Sequence, residues 1–191
     1  MTVSVWQEQA EPAAEVNHDV AIIGGGLVGS YAAGLLTAAG RDVAIIEARF
    51  PAAGASGRNA GFVHLGMRHL YSEAIEMFGH TLARDVWNLT ADNVNRMRRF
   101  AKEFCVEHEE KGATFVSTDG AESAEMRKSV KLAQGDGFQV EFLNRDPFER
   151  GFKVAMFHPS DFAIQPAQFT NALVSSSGAT LYQNDEMADI T

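Results

Sequence analysis

The sequence predicts an α/β protein organised around a nucleotide-binding βαβ unit with an α+β lobe inserted after it. Three observations predict this: a short apolar strand running into Gly24-Gly25-Gly26-Leu27-Val28-Gly29, a small-residue helix closed by Gly40, and a second apolar strand ending in an acid at Glu47. The 191-residue chain is long enough for one medium or two small packed units, and its 46% hydrophobic content is ordinary for a globular protein.

The strand is Val20 to Ile23 and the helix Leu27 to Ala39; the second strand is Val43 to Ile46. A right-handed crossover makes the two strands parallel neighbours. Gly24 suits a sharp exit from the strand, Gly26 leaves room for a pyrophosphate at the backbone, and Gly29 lets the helix sit close to the sheet. The N–H groups and positive dipole end of that helix face the phosphates. Glu47, eighteen residues after Gly29, can accept hydrogen bonds from the ribose hydroxyls of an adenosine and repels a 2′-phosphate. NADP is disfavoured, leaving FAD or NAD.

Residues 1–17 are polar and aperiodic and read as a flexible arm. Beyond PAAGASGRNAGFVHLGM, which fits neither period, a long helix is expected from Ser72 to about Lys111. Its apolar stripe would be Ile75, Phe78, Leu82, Val86, Leu89, Val94, Met97, Phe100 and Phe104, with the arginines of RMRR at 96–99 on a solvated face. There follow a strand at Ala113–Ser117, a helix at Ala121–Gln134, strands at Phe138–Leu143 and Lys153–His158, and DPFERG as a turn. Pro166 opens a helix to Ser177, and strands are expected at Thr180–Gln183 and Met187–Ile190.

A net charge of −9 and a pI near 5.1 oppose nucleic-acid and anionic-lipid partners and favour small molecules. No apolar run reaches the length of a membrane span and the N-terminus lacks a signal-peptide pattern, so a cytoplasmic protein is expected. The single cysteine, Cys105, reads as a buried structural thiol, and the spacing of the six histidines predicts no metal.

Arg49 and Gly54-Ala55-Ser56-Gly57-Arg58-Asn59-Ala60-Gly61 follow the βαβ unit directly. A loop of small residues, a hydroxyl, a guanidinium and an amide either wraps a phosphate and a ring edge or serves as a linker. Here DVAIIGGGLVGSYAAGLLTAAGRDVAIIE followed by GASGRNAGF resembles the D-amino-acid oxidase type of FAD-dependent oxidoreductases, nearest to the branch containing gamma-glutamylputrescine oxidoreductase. FHPSDFAIQPAQFTNAL and GATLYQNDEMADI resemble the family's re-entry into its FAD domain.

The resemblance implies a Rossmann-like FAD-binding domain made of 18–61 and 159–191, with 62–158 as a partial substrate-binding lobe. It implies pyrophosphate contacts from Gly24, Gly25, Gly26, Leu27, Val28 and Gly29, and ribose contact from Glu47, with Ala48 and Arg49 adjoining. Ala55, Ser56, Arg58, Asn59, Gly61 and Phe62 would lie along the phosphate and flavin, and the backbone of Met187 would meet the adenine. Departures are Ser160-Asp161-Phe162 where relatives often carry paired glycines, and Ala60 and Phe62 in place of the common Gly and Gln.

The implied function is oxidation of an amine or amino acid by hydride transfer to FAD. No catalytic residue is assigned, because the flavin carries the chemistry. His64, after the flavin-side loop, reads either as a ring contact or as an ordinary hydrogen-bonding residue. The chain is expected to be the N-terminal part of a longer enzyme. An NAD-dependent dehydrogenase and a non-catalytic nucleotide-binding remnant are the alternatives.

Overall fold

A computed structural model describes residues 16–187 and resolves into two compact units, one of residues up to Pro51 together with those from Leu173, the other Ala52–Ala172. These boundaries differ from the 61/62 and 158/159 divisions suggested by the sequence. The reason is a strand pair: Phe62–Val63 pairs with Phe162–Ala163, so both segments belong to the same compact body.

In the first unit, β1 (Val20–Ile23), β2 (Val43–Glu47) and β9 (Thr180–Gln183) form a parallel sheet in the order β1-β2-β9. Val20 stands opposite Val43, and Ala44 opposite Thr180. The middle strand, flanked on both edges, is the continuous apolar run VAII, as expected of a buried parallel strand. Helix α1 (Leu27–Ala38) packs on it through Ala33 and Leu36, and Val43, Ile45, Val174 and Leu181 complete the core. The small residues of α1 let the helix approach the sheet. The second unit contains two antiparallel sheets, β3-β8-β4 and β5-β7-β6. The first is β3 (Phe62–Val63), β8 (Phe162–Ile164) and β4 (His108–Glu109); the second is β5 (Ala113–Ser117), β7 (Val154–His158) and β6 (Glu141–Leu143).

The single long helix expected from Ser72 to Lys111 is two helices, α2 (Tyr71–Phe78) and α3 (His80–Glu103). Gly79 adopts φ 84°, ψ 156°, a left-handed φ that a helix cannot continue through and that glycine tolerates. The break turns α3 so that Ala83, Trp87, Val94 and Ala101 are its buried stripe, while Leu82 and Leu89 are exposed. The expected stripe was therefore one position out of phase over two turns. Helix α3 ends at Glu103, and Cys105 (φ 53°) is exposed rather than buried. Arg98 leaves the expected solvated face: its guanidinium pairs with Glu110 at 3.1 Å, donates to the Ser160 carbonyl and lies over the Phe162 ring.

Helix α4 (Gly120–Gly135) starts at an Asp119 cap that accepts from the N–H groups of Ala121 and Glu122 at 2.8 and 3.0 Å. Its inner face meets Tyr71, Trp87, Phe138 and Val140 in the main core. Phe138 and Val140 are buried there, although β6 pairs only from Glu141, so the expected strand from Phe138 is shorter. Helix α5 (Pro166–Ser176) runs nearly as expected, whereas β8 was not foreseen. Met187 carries no strand, and 188–190 of the expected last strand, like nearly all of the expected arm, lie outside the described residues.

Asp136, just after α4, accepts from the Tyr71 hydroxyl at 2.6 Å and meets His80 Nε2 at 2.7 Å. The Tyr71 hydrogen bond, aided by His80, holds its carboxyl below the usual carboxylate range. A lowered carboxyl pKa contributes stability at neutral pH that is lost as acid protonates the folded state. Asp136→Asn is therefore expected to lower Tm at neutral pH, the gap to the parent shrinking on titration toward about pH 3, as differential scanning calorimetry would register.

Candidate functional site

In the first unit the chain leaves β1 at Gly24, whose N–H bonds to the Ile46 carbonyl at 2.8 Å and whose φ of 97° turns the backbone out of the strand. Gly26 stands at the N-cap of α1 in extended conformation, with no side-chain cap and no acid in the first turn. The Ser30 hydroxyl donates to the Gly26 carbonyl at 2.7 Å and closes the turn from behind. At Gly29 a Cβ would lie 2.2 Å from the Gly24 carbonyl oxygen and 3.1 Å from Ile22 Cγ2. The helix can start this close to the strand only because that carbon is missing. The result is a helix N-terminus with a bare glycine approach, the arrangement that receives a phosphate.

Glu47 ends β2 beside this turn. Its Oε2 accepts the Gly25 N–H at 2.8 Å and its Oε1 accepts the Arg49 N–H at 2.9 Å. Both oxygens are thus pinned by backbone and each keeps a lone pair for a further donor. The chain after β9 runs past the same place: Asn184 N–H donates to the Arg49 carbonyl at 2.9 Å and Asp185 N–H to the Glu47 carbonyl at 3.1 Å, two residues before Met187. Gly24 to Gly29, Glu47, Ala48, Arg49 and the approach to Met187 are thereby gathered at one end of the parallel sheet.

In the second unit Ala55–Gly57 makes a single 3-10 turn. The Asn59 amide shapes the loop, donating to the Ala55 and Ser56 carbonyls at 3.0 Å each and accepting the Gly61 N–H at 2.9 Å. Gly61 (φ 72°) meets β8 so closely that a Cβ would lie 2.0 Å from the Ile164 carbonyl oxygen. Ala55 and Arg58 are exposed, and Phe62, 65% exposed, presents its ring on the β3 edge. Ala55, Ser56, Arg58, Asn59, Gly61 and Phe62 therefore form one built loop rather than a free linker.

Residues outside the expected set stand next to this loop. Asp161, its side chain fully buried, accepts the Leu65 N–H at 2.9 Å through Oδ1, and its Oδ2 lies 3.1 Å from His64 Nδ1 and 3.3 Å from His158 Nδ1. Ninety-seven residues separate Asp161 from His64, so periodicity and local spacing carry no signal of the pair.

The FAD dependent oxidoreductase model of the D-amino-acid oxidase group matches residues 19–191. The chain belongs to that family. Its α/β fold is that of the family's FAD-binding domain. Among curated relatives of this flavoprotein family, the probable oxidoreductase OrdL of Rhizobium meliloti is 37% identical over 91 residues, which are 48% of this chain and 21% of that protein. Among solved structures, glycine oxidase from Bacillus cereus is 26% identical with a TM-score of 0.62, over 88% of this chain and 46% of that one. L-amino acid deaminase from Proteus vulgaris shares the fold with a TM-score of 0.72 at 18% identity, over 93% and 42%. The chain thus spans less than half the length of these relatives. Among the described residues no helix is long and apolar enough to cross a membrane.

Proposed function

We propose that the protein binds FAD and serves the oxidation of a C–N bond in an amine or amino acid. The observation that carries the cofactor half is the pinned Glu47 carboxylate beside a glycine-lined helix N-terminus whose Gly26 cap position bears no side chain. These residues fit an ADP group. The N-terminus of α1 supplies N–H donors and a positive dipole end to two phosphate charges, and Gly29 and Gly26 keep side chains out of the way. Glu47 would accept hydrogen bonds from the ribose hydroxyls, Ala48 and Arg49 would continue the backbone edge, and the main chain at Met187 would border the adenine.

FAD, when bound, supplies the acceptor for a hydride from the substrate carbon. The family resemblance assigns the loop residues Ala55, Ser56, Arg58, Asn59, Gly61 and Phe62 to the flavin, with Arg58 offering a charge and Phe62 an apolar edge. Asn59 keeps the loop in shape, so its contribution is positional. The amine or amino-acid class is supported by the glycine oxidase and L-amino acid deaminase likenesses.

The cofactor reading is tested by titrating the protein with FAD, ADP and 2′-phospho-ADP in a calorimeter. FAD and ADP should bind and the 2′-phosphorylated analogue should not, since Glu47 repels the added charge; equal affinity for both nucleotides would reject the assignment. Glu47→Ala should weaken ADP binding by roughly ten- to a hundredfold, the scale of lost charge-assisted hydrogen bonds. The substrate class is tested separately by adding amines and amino acids anaerobically to FAD-loaded protein. Bleaching of the flavin absorbance by a member of either class is expected, and its absence across both would sink the C–N reading.

A further inference from the structure

The second unit carries a pocket of about 470 Å3 lined by Phe62, His64, Phe115, Phe162 and the chain from Lys111 to Thr114, with Glu109 beside it. Glu109 and Lys111 pair with each other at 3.2 Å, so together they leave the wall without net charge. His64 is the other ionisable residue of the lining. Its ring has Phe62 and Phe115 as neighbours, with centroids 5.6 and 5.7 Å away, and its side chain is 39% exposed. Phe62 belongs both to this wall and to the loop assigned to the flavin, so His64 follows that loop directly.

Asp161, one of the residues standing where relatives often carry glycines, decides which nitrogen His64 offers. Its carboxylate is fully buried and held through Oδ1 by the Leu65 N–H at 2.9 Å. Its Oδ2 is hydrogen-bonded to His64 Nδ1 at 3.1 Å, whereas His158 Nδ1, at 3.3 Å, makes no hydrogen bond. An ionised carboxylate only accepts, so a neutral His64 carries its proton on Nδ1 and presents an unprotonated Nε2. No described residue hydrogen-bonds that nitrogen. A buried carboxylate behind an imidazole fixes its tautomer and steadies the ring once it is protonated.

Loss of hydride from a C–N carbon needs the nitrogen lone pair, which becomes the second bond of C=N. An alkylamine near neutral pH carries an extra proton and has no such pair. We propose that His64 Nε2 accepts this proton from the substrate, with Asp161 as its positioning residue. The ammonium N–H bond breaks and the Nε2–H bond forms; the electrons of the old bond stay on the amine nitrogen as its lone pair. Ammonium and neutral imidazole become amine and imidazolium, the latter paired with Asp161. The aromatic wall disfavours the ammonium and the buried carboxylate favours the imidazolium, both in the direction of transfer. The other charged or titratable groups around His64 are His158 on β7, the Glu109–Lys111 pair, and Arg68 and His69 on the following loop, where solvent screens Arg68. The inference rests on the C–N reading of the proposed function.

Two experiments on the full chain test it. Without FAD, long-range 1H–15N NMR at about pH 8 reads the His64 ring, assigned by its loss in His64→Gln. The parent should show an unprotonated Nε2. Benzylamine should shift it saturably toward the protonated position, benzyltrimethylammonium, which has no N–H, should not, and Asp161→Asn should move the proton onto Nε2. With FAD, anaerobic bleaching by the amine or amino acid that reduces the parent is followed against pH. His64→Gln should slow it about a hundredfold near pH 7 and recover at least about tenfold by about pH 9.5, where more of the amine arrives without its extra proton. Asp161→Asn should show the same pattern, and Glu109→Gln should behave as the parent. The role is overturned if Nε2 is protonated in the parent, if benzylamine leaves it unmoved or benzyltrimethylammonium moves it equally, if the His64→Gln deficit is absent or independent of pH, or if Glu109→Gln reproduces it. An unprotonated Nε2 in Asp161→Asn would overturn the positioning by Asp161. A parent that no amine or amino acid bleaches overturns the C–N reading and this role together, whereas any of the other results in a parent that does bleach overturns the role alone.

Discussion

Gly29→Ala is expected to abolish measurable dinucleotide binding and to destabilise the first unit. The added Cβ would sit 2.2 Å from the Gly24 carbonyl oxygen, a backbone atom on the turn itself, and 3.1 Å from Ile22 on β1. Relief requires α1 to move off the sheet. That displaces the N-terminal N–H groups from any phosphate and opens the contact between Ala33 and the β2 core. Overpacking at a rigid site costs about 1–3 kcal/mol, and the loss of aligned backbone donors adds a fall in ADP affinity of roughly a hundredfold or more. Chemical denaturation measures the first and calorimetric titration the second. An alanine variant that binds ADP like the parent would show that close approach of helix and strand is not what forms the site.

Asp161→Ala should be the most damaging single substitution in the second unit. It removes a fully buried carboxylate and leaves the Leu65 N–H, His64 Nδ1 and buried His158 without their partner at once. Removing a buried carboxylate on which other polar groups depend costs about 3–5 kcal/mol, because the groups left behind keep their desolvation penalty. Asp161→Asn keeps the volume and an acceptor for Leu65, so about half of that loss is expected, and His64→Gln, at a side chain 39% exposed, should cost less again. Urea midpoints across the three variants check the ranking. Equal stability of parent and Asp161→Ala would mean that the cluster contributes no net stabilisation.

The βαβ unit was legible because each of its parts is a local rule. Strand, glycines, helix and acid follow one another within Val20–Glu47, and short-range sterics and helix-end electrostatics require those residue types at those spacings. The pinning of Glu47 by Gly25 and Arg49 N–H groups extends the same local logic. The helical region after it was less legible. Gly79 interrupts an otherwise helical pattern, and composition does not distinguish a tolerated glycine from one whose φ of 84° redirects the chain. The phase of α3 depends on that redirection. Leu82 and Leu89 look like core residues until Trp87, packed against Tyr71, takes the inner face. Likewise Arg98 looks like a surface arginine until Glu110, Ser160 and Phe162 are brought beside it by sheet pairing far along the chain.

By itself, then, the sequence determined the parallel βαβ core, its glycine-lined turn, its acid and the family to which these belong, since all are written in contiguous residues whose neighbours in space are neighbours in sequence. Only the tertiary structure decided where the two compact units divide, which face of α3 is buried, and that Asp161 joins His64 and His158. Those features depend on contacts between segments up to about a hundred residues apart, and at that range no backbone periodicity carries the information, so packing alone selects the partners.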